Sequence, residues 1–502
     1  MLTRIKTASL IGVKGYLVTV ETDIHKGMPA FNVVGLADTT IKEALMRIRP
    51  AINNSGFHFP GDRVTVNLVP AGKQKEGSHF DLPIALGVIL SGLECEMPQD
   101  TAFIGEVSLD GRINPVNGAL PLAMSIRGEG VRTIVVPKGN ADEVSILRDM
   151  RIIPVETLED AVLFAMTPGV FEPYERMQIE KERGAPFDFS QVIGHEDVKR
   201  SLVIAAAGRH GVLMMGGPGC GKTMMAKRIP SIMPSLTYEE QLEITGIYSV
   251  AGLLNDGGGI ITERPFRSPH HTISPVGLTG GGSGRIRPGE LSLAHEGVLF
   301  LDEFGEFDHR AIDAMRQPLE EGVVRINRNT EEITFPSSAL VVIASNPCKC
   351  GYLWDDNRVC TCTGKQLDAY RRKLTGPFAD RIDMFIKVSP VPIDDIAKDE
   401  QRGAGSQELR RMVESCSSLQ RERYEGTSYR FNGDLDEKGI ETYCQMTKEA
   451  KALLGRAYED MNMTMRAYGK VIKISRTIAD LEDSAVISDE HIAEALMYRL
   501  KG

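Results

Sequence analysis

No apolar run in this 502-residue chain approaches the ~18–20 residues that a membrane-spanning helix needs. The opening MLTRIKTASLIGVKGY interrupts its apolar stretch with Lys14 and lacks a small-residue cleavage pattern, so the sequence predicts a cytosolic protein. Basic excess is missing as well: 58 Lys+Arg stand against 68 Asp+Glu, a formal net charge of −10. Any grip on nucleic acid must then come from a local basic surface, because the field of the whole molecule repels phosphate. Cysteine is sparse, at 8 residues, which excludes a small disulfide scaffold. With no evident repeat or low-complexity tract, and 42% hydrophobic against 25% charged residues, the composition is that of a globular protein. At roughly 100–200 residues per domain the length predicts about three domains.

Residues 1–167 alternate strand-like segments (YLVTVETDI, RVTVNLVP, TIVVP) with helical ones such as DLPIALGVILSG, the pattern of an α/β domain. Within it, VSLDGRI sets Asp110-Gly111 between alternating apolar residues and predicts a tight hairpin. Residues 168–186 are charged, bracketed by prolines and without apolar periodicity, and read as a linker. Residues 187–392 mix short apolar strands with glycine-rich loops, and residues 393–502 are helical in pattern, with Ser488 as an N-cap before DEHIAEALMYRL.

The chemistry concentrates in the third segment. GVLMM leads into Gly216, Gly217, Pro218, Gly219, Cys220, Gly221, Lys222 and Thr223, and then into the helical MMAKRI. Strand, glycine-rich loop and helix in that order make a phosphate cradle: backbone N–H groups wrap the phosphates, Lys222 reaches the β/γ-phosphates and Thr223 ligates Mg²⁺. Roughly 80 residues later VLFLDEF puts Asp302 and Glu303 at a buried strand tip, one to hold the metal and one to activate water. ALVVIAS then ends in Asn346, a polar amide able to orient that water.

The words RPFRSPHHTIS, RPGELSLAHEGVLFLDEF, MRQPLEEG and SNPCKCG resemble AAA+ ATPases of the magnesium-chelatase clade, and within it the bacterial YifB/ComM family, over nearly the whole chain. The resemblance implies an α/β fold in three parts: a Lon-protease-like N-terminal domain, a central AAA+ P-loop ATPase and a C-terminal helical lid. It implies ATP and Mg²⁺ as cofactors, Asn346 as sensor 1, Arg381 as an arginine finger from the next subunit, and Arg466, with Arg476 as the alternative, as sensor 2. It further implies a self-associated ring, a hexamer in type, that drives DNA branch migration in the manner of a helicase. The alternative is a protein-remodelling motor whose N-terminal domain binds a protein partner. Proteolysis is not expected. The place of the protease serine falls near His79, beside Ser78, and the segment from Gly105 to Arg127 that should supply the activating lysine has none.

Two features stay open on the sequence. Arg264, Arg267, Arg285 and Arg287 flank a GLTGGGSG loop against the single acid Glu263, a locally positive stretch whose arginines either grip a phosphate backbone or pair with neighbouring subunits or stay hydrated. The adjacent His270 and His271 are expected to point apart and not to hold metal. Cys348, Cys350, Cys360 and Cys362 form two Cys-x-Cys pairs, either a structural Zn²⁺ site, strained by the one-residue gaps, or reduced structural cysteines.

Overall fold

The computed structural model describes residues 2–93, 98–175, 187–254, 259–282, 286–328, 331–355, 358–375, 382–391 and 403–499. β1 (Leu2–Ile11) and β2 (Lys14–His25) pair as a long antiparallel hairpin. Around it β3 (Ala30–Val34), β4 (Arg63–Val69), β5 (Thr101–Phe103), β8 (Thr133–Pro137) and β9 (Arg151–Val155) complete a seven-stranded mixed sheet of order β3-β4-β2-β1-β5-β8-β9. The helix Asp81–Leu93 is buried from Asp81 through Ser91, as a helix apolar on all sides must be. The expected tight hairpin forms between β6 (Glu106–Val107) and β7 (Ile113–Asn114), with Gly111 in the left-handed region at φ +84°.

The second unit is built on five parallel strands. β10 (Val212–Met215), β14 (Val298–Leu301) and β17 (Leu340–Ser345) are short and almost wholly apolar, and lie with β11 (Phe266–Arg267) and β18 (Met384–Lys387) in the order β11-β14-β17-β10-β18. Strands apolar along their whole length need both faces covered, which favours the parallel arrangement. The helix Glu196–Gly208 covers one face. Two small ribbons, β12 (Gly280–Gly281) with β13 (Arg287–Pro288) and β15 (Val323–Arg328) with β16 (Glu331–Pro336), are insertions into this unit.

The C-terminal region consists of helices, among them Ser406–Arg423, Lys448–Asp460, Met465–Leu481 and Asp489–Met497. Ser488 caps the last of these through His491 N, as its sequence predicts. Val413, Ile474 and Ile478 join Leu202, Ile204 and Val212 in one hydrophobic cluster, so the helical region and the parallel sheet share a core. The first sheet docks on the second through the helix Tyr238–Ala251: Tyr238 Oη donates to the Ile146 carbonyl at 2.9 Å, and Gly118 N donates to Ser249 at 3.0 Å.

The linker expectation is corrected at its start. Residues 168–175 still pack on the first domain, since Arg151 donates to the Phe171 carbonyl and Tyr174 N to that of Ile152. The rest of that segment, 176–186, lies outside the described residues, as do Arg285 and Arg381.

Candidate nucleotide site

β10 is flanked by β17 and β18 in parallel, with Met215 opposite Ser345 and Lys387. Everything that follows these strand tips therefore meets at one end of the sheet. Gly219 and Gly221 take φ +78° and +88°, conformations that bend a run of backbone N–H groups into an anion-binding concavity. Gly216 is required for another reason: a Cβ there would lie 2.2 Å from the Val388 carbonyl.

Lys222 turns back over this loop. Its Nζ donates to the carbonyls of Gly216 (2.7 Å) and Gly217 (2.8 Å) and to Asn346 Oδ1 (3.3 Å). Thr223 Oγ1 donates to Asp302 Oδ2 at 2.8 Å. Hydroxyl and carboxylate oxygens at that separation are the hard donors Mg²⁺ prefers, so the residues present fit the ion. Glu303 stands beside them in the left-handed region, φ +50°, with its side chain 61% exposed. A carboxylate turned to solvent at the strand tip is placed to take a proton from water.

The sequence missed who faces Glu303. His271 Nδ1 lies 3.6 Å from its Oε2. The two histidine rings do not point apart as expected but lie side by side, with centroids 4.1 Å apart and planes tilted by 33°, and His270 Nδ1 is 2.8 Å from Thr272 Oγ1. No local signal ties an insertion residue to an acid further along the chain.

The basic-loop expectation is corrected for two of its arginines. Arg264 is buried: its Nη2 donates to Glu240 (3.1 Å) and its Nη1 to the Glu296 carbonyl (2.6 Å). Burial and the neighbouring Arg209 pull its guanidinium down to about 10, against the attraction of Glu240 and Glu296. Arg267 makes a two-pronged pair with Glu290 at 2.6 and 2.7 Å. An arginine held this way keeps three of its five N–H donors, but its charge is already matched by a carboxylate within the chain. Arg287, on β13, is exposed. Glu296, wholly buried, is the centre the sequence did not disclose. Arg209, Arg264 and Arg430 surround it, and Arg430 comes from the helical region.

Neither candidate for the sensor-2 arginine reaches the loop within this chain. Arg466 lines a cavity of about 220 Å³ with Ile382, Asp383, Lys470 and Leu213, beside the start of β18 and away from the strand tips. Arg476 is buried within the helical region, bonded to Asp480 and the Ala485 carbonyl. In the first sheet His79 is buried on the Ala8 carbonyl. The buried Lys75 donates to the carbonyls of Gly35 and Pro70.

All four thiols of the Cys-x-Cys pairs come together. Their sulfurs lie within 4.8 Å of one another, so the one-residue gaps do not hold the cysteines of a pair apart. Gly351 brings this cluster against the phosphate loop: a Cβ on it would stand 3.0 Å from Pro218 Cδ and 4.0 Å from Asn346 Cγ.

A glycine-bent loop at a parallel strand tip, with a lysine over it, a hydroxyl–carboxylate pair beside it and a helical domain sharing its core, defines a P-loop nucleotide-binding protein of AAA+ type. Three family profiles cover most of the chain: "Subunit ChlI of Mg-chelatase" over residues 20–140, "Magnesium chelatase, subunit ChlI" over 188–396 and its C-terminal counterpart over 403–499. The chain is 37% identical to the competence protein ComM of Haemophilus influenzae, across 97% of this chain and 96% of that one. It is 36% identical to YifB of Escherichia coli, across 99% and 96%. The chain belongs to the YifB/ComM family of magnesium-chelatase-like AAA+ proteins.

Proposed function

We propose that this protein is an AAA+ motor that hydrolyses ATP with Mg²⁺ at the loop Gly216–Thr223. The observation that carries the reading is the meeting of Lys222, Thr223, Asp302 and Asn346 at one sheet end, joined by hydrogen bonds. Lys222 leaves its own loop's carbonyls for the β/γ-phosphates, and Thr223 and Asp302 are the residues that would hold Mg²⁺, which would supply neutralisation of phosphate charge. Glu303 takes the proton of the attacking water, steered by His271, while Asn346 orients that water. Arg381, from a neighbouring copy in a ring, stabilises the charge that develops on the transferred group, and the lid helix reports nucleotide state through Arg466. The first domain acts in assembly or partner binding without proteolysis, since the segment Gly105 to Arg127 offers no lysine to activate a serine.

DNA is the substrate the family membership favours, through likeness to a competence protein. Arg287 and Arg285 are then the contacts left in the basic insertion. A second reading, protein remodelling, is supported by the internal pairing of Arg264 and Arg267 and by the net charge of −10.

Two variants test the motor. Lys222→Ala is expected to abolish ATP binding, and Glu303→Gln to retain binding while losing about 10²–10⁴ in turnover. Normal hydrolysis by Glu303→Gln removes Glu303 as the base. ATPase stimulated by forked DNA, with log affinity falling linearly in log salt, supports the DNA reading, and stimulation by protein alone replaces it.

A further inference from the structure

Cys348, Cys350, Cys360 and Cys362 are free thiols, the first of them fully buried. Cys348 Sγ lies 3.3 Å from Cys350 Sγ and 3.7 Å from Cys360 Sγ, and Cys350 Sγ lies 3.5 Å from Cys360 Sγ. Four sulfurs each ~2.3 Å from a tetrahedral Zn²⁺ would stand about 3.8 Å apart, so these separations match a metal-sized cage. They are far beyond the ~2.05 Å of a disulfide.

Backbone N–H groups reach the sulfurs. N–H groups of Gly351 and Leu353 point at Cys348, those of Tyr352 and Thr361 at Cys350, and that of Cys362 at Cys360. Such bonds to ligand sulfurs orient thiolates and stabilise them.

The cage has a place in the nucleotide site. Only Pro347 separates Cys348 from Asn346. Gly351, at φ +85°, sits where its missing Cβ would meet Pro218 of the phosphate loop. On its far side Trp354 lies edge-on to Phe385 and beneath Lys387 Nζ, which ties the loop to β18.

We propose that these four cysteines bind one structural Zn²⁺, and that the metal braces the tip of β17 and the phosphate loop against each other. Four protein ligands leave no position for water, so the ion takes no part in the chemistry. Without it the loop after Asn346 keeps its local backbone turns, Gly351 N on the Cys348 carbonyl and Asp355 N on that of Tyr352, but loses the link between its two Cys-x-Cys pairs, and both Asn346 and Pro218 lose a fixed neighbour. The bracing half rests on the nucleotide reading above; the metal half does not.

The full chain, purified under reducing conditions without added metal, is expected to contain about one zinc per chain, released when the thiols are modified. Cys360→Ser and Cys362→Ser are each expected to lose it, while Cys444→Ser, at a buried cysteine elsewhere, keeps it. Should the cluster variants fail to fold, Co²⁺ exchanged into the unaltered protein is expected to give the visible bands of a tetrahedral tetrathiolate site. Absence of metal, or iron in its place, overturns the assignment. For the brace, zinc-stripped protein with Mg²⁺ restored is expected to bind a fluorescent ATP analogue at least about tenfold more weakly and to recover with zinc. Unchanged affinity overturns it. Lys222→Ala separates the two readings, losing the nucleotide while keeping the zinc.

Discussion

Replacing Glu296 by Gln tests the joint between the parallel sheet and the helical region. Its side chain is 0% exposed and meets Arg209, Arg264 and Arg430; the latter two also share Glu240. Burial works to raise its pKa, but the arginines more than reverse this and bring it from an ordinary 4.5 to about 2. That difference of about 2.5 units, at 1.36 kcal/mol per unit, corresponds to about 3 kcal/mol. The figure agrees with the ~3–5 kcal/mol cost of removing one partner from a buried ion pair. Because the folded pKa lies below the unfolded one, this stability is fully present above about pH 4.5 and is lost as the pH falls toward 2. Glu296→Gln removes it at every pH, leaves Arg264 and Arg430 with Glu240 and takes from Arg209 its carboxylate partner. At about 2–4 °C per kcal/mol for a unit of this size, the melting midpoint at pH 7 is expected to fall by about 6–12 °C. The gap to the unaltered protein should narrow as both are taken from pH 4.5 toward pH 2. Calorimetry at several pH values measures both effects. A midpoint at pH 7 that stays the same or rises would refute the claim that this carboxylate holds the joint together.

Gly351→Ala places a side chain at φ +85° and against Pro218. A left-handed residue costs about 1–2 kcal/mol, and the shift it forces on the phosphate loop is expected to weaken binding of a fluorescent ATP analogue. Alanine at Gly364, where nothing lies within 4 Å, is expected to leave that binding unchanged. If DNA is bound, Arg287→Ala should weaken it uniformly across sequences and reduce the salt slope by about 1. Arg264→Ala should instead lower the melting midpoint and leave the slope intact. Salt titrations of DNA affinity, run beside melts, separate the two, and a smaller slope without a lower midpoint for Arg264→Ala contradicts its assignment to the core.

The order in which residues occur carried much of the nucleotide site. Strand, glycine loop and Lys222-Thr223 are contiguous, and apolar runs ending in Asp302 and Asn346 can be read without coordinates because buried parallel strands end at one edge. Ser488 and the Asp110-Gly111 turn were legible for the same local reason, a side chain or a glycine acting on backbone within a few residues. The arginines behaved differently. Arg264 and Arg287 stand in one stretch and look alike in sequence, yet one is sealed between Glu240 and Glu296 and the other is exposed. Arg466, expected at the nucleotide, lies beside the start of β18.

The sequence by itself thus determined the family, the mixed α/β class and the phosphate loop, whose chemistry depends on neighbours along the chain. Tertiary structure alone decided which charges are paired, that His271 faces Glu303, and that four cysteines converge beside Pro218. Those outcomes depend on contacts between distant segments, and the free energy of a charge or a thiol is set by what folding places around it.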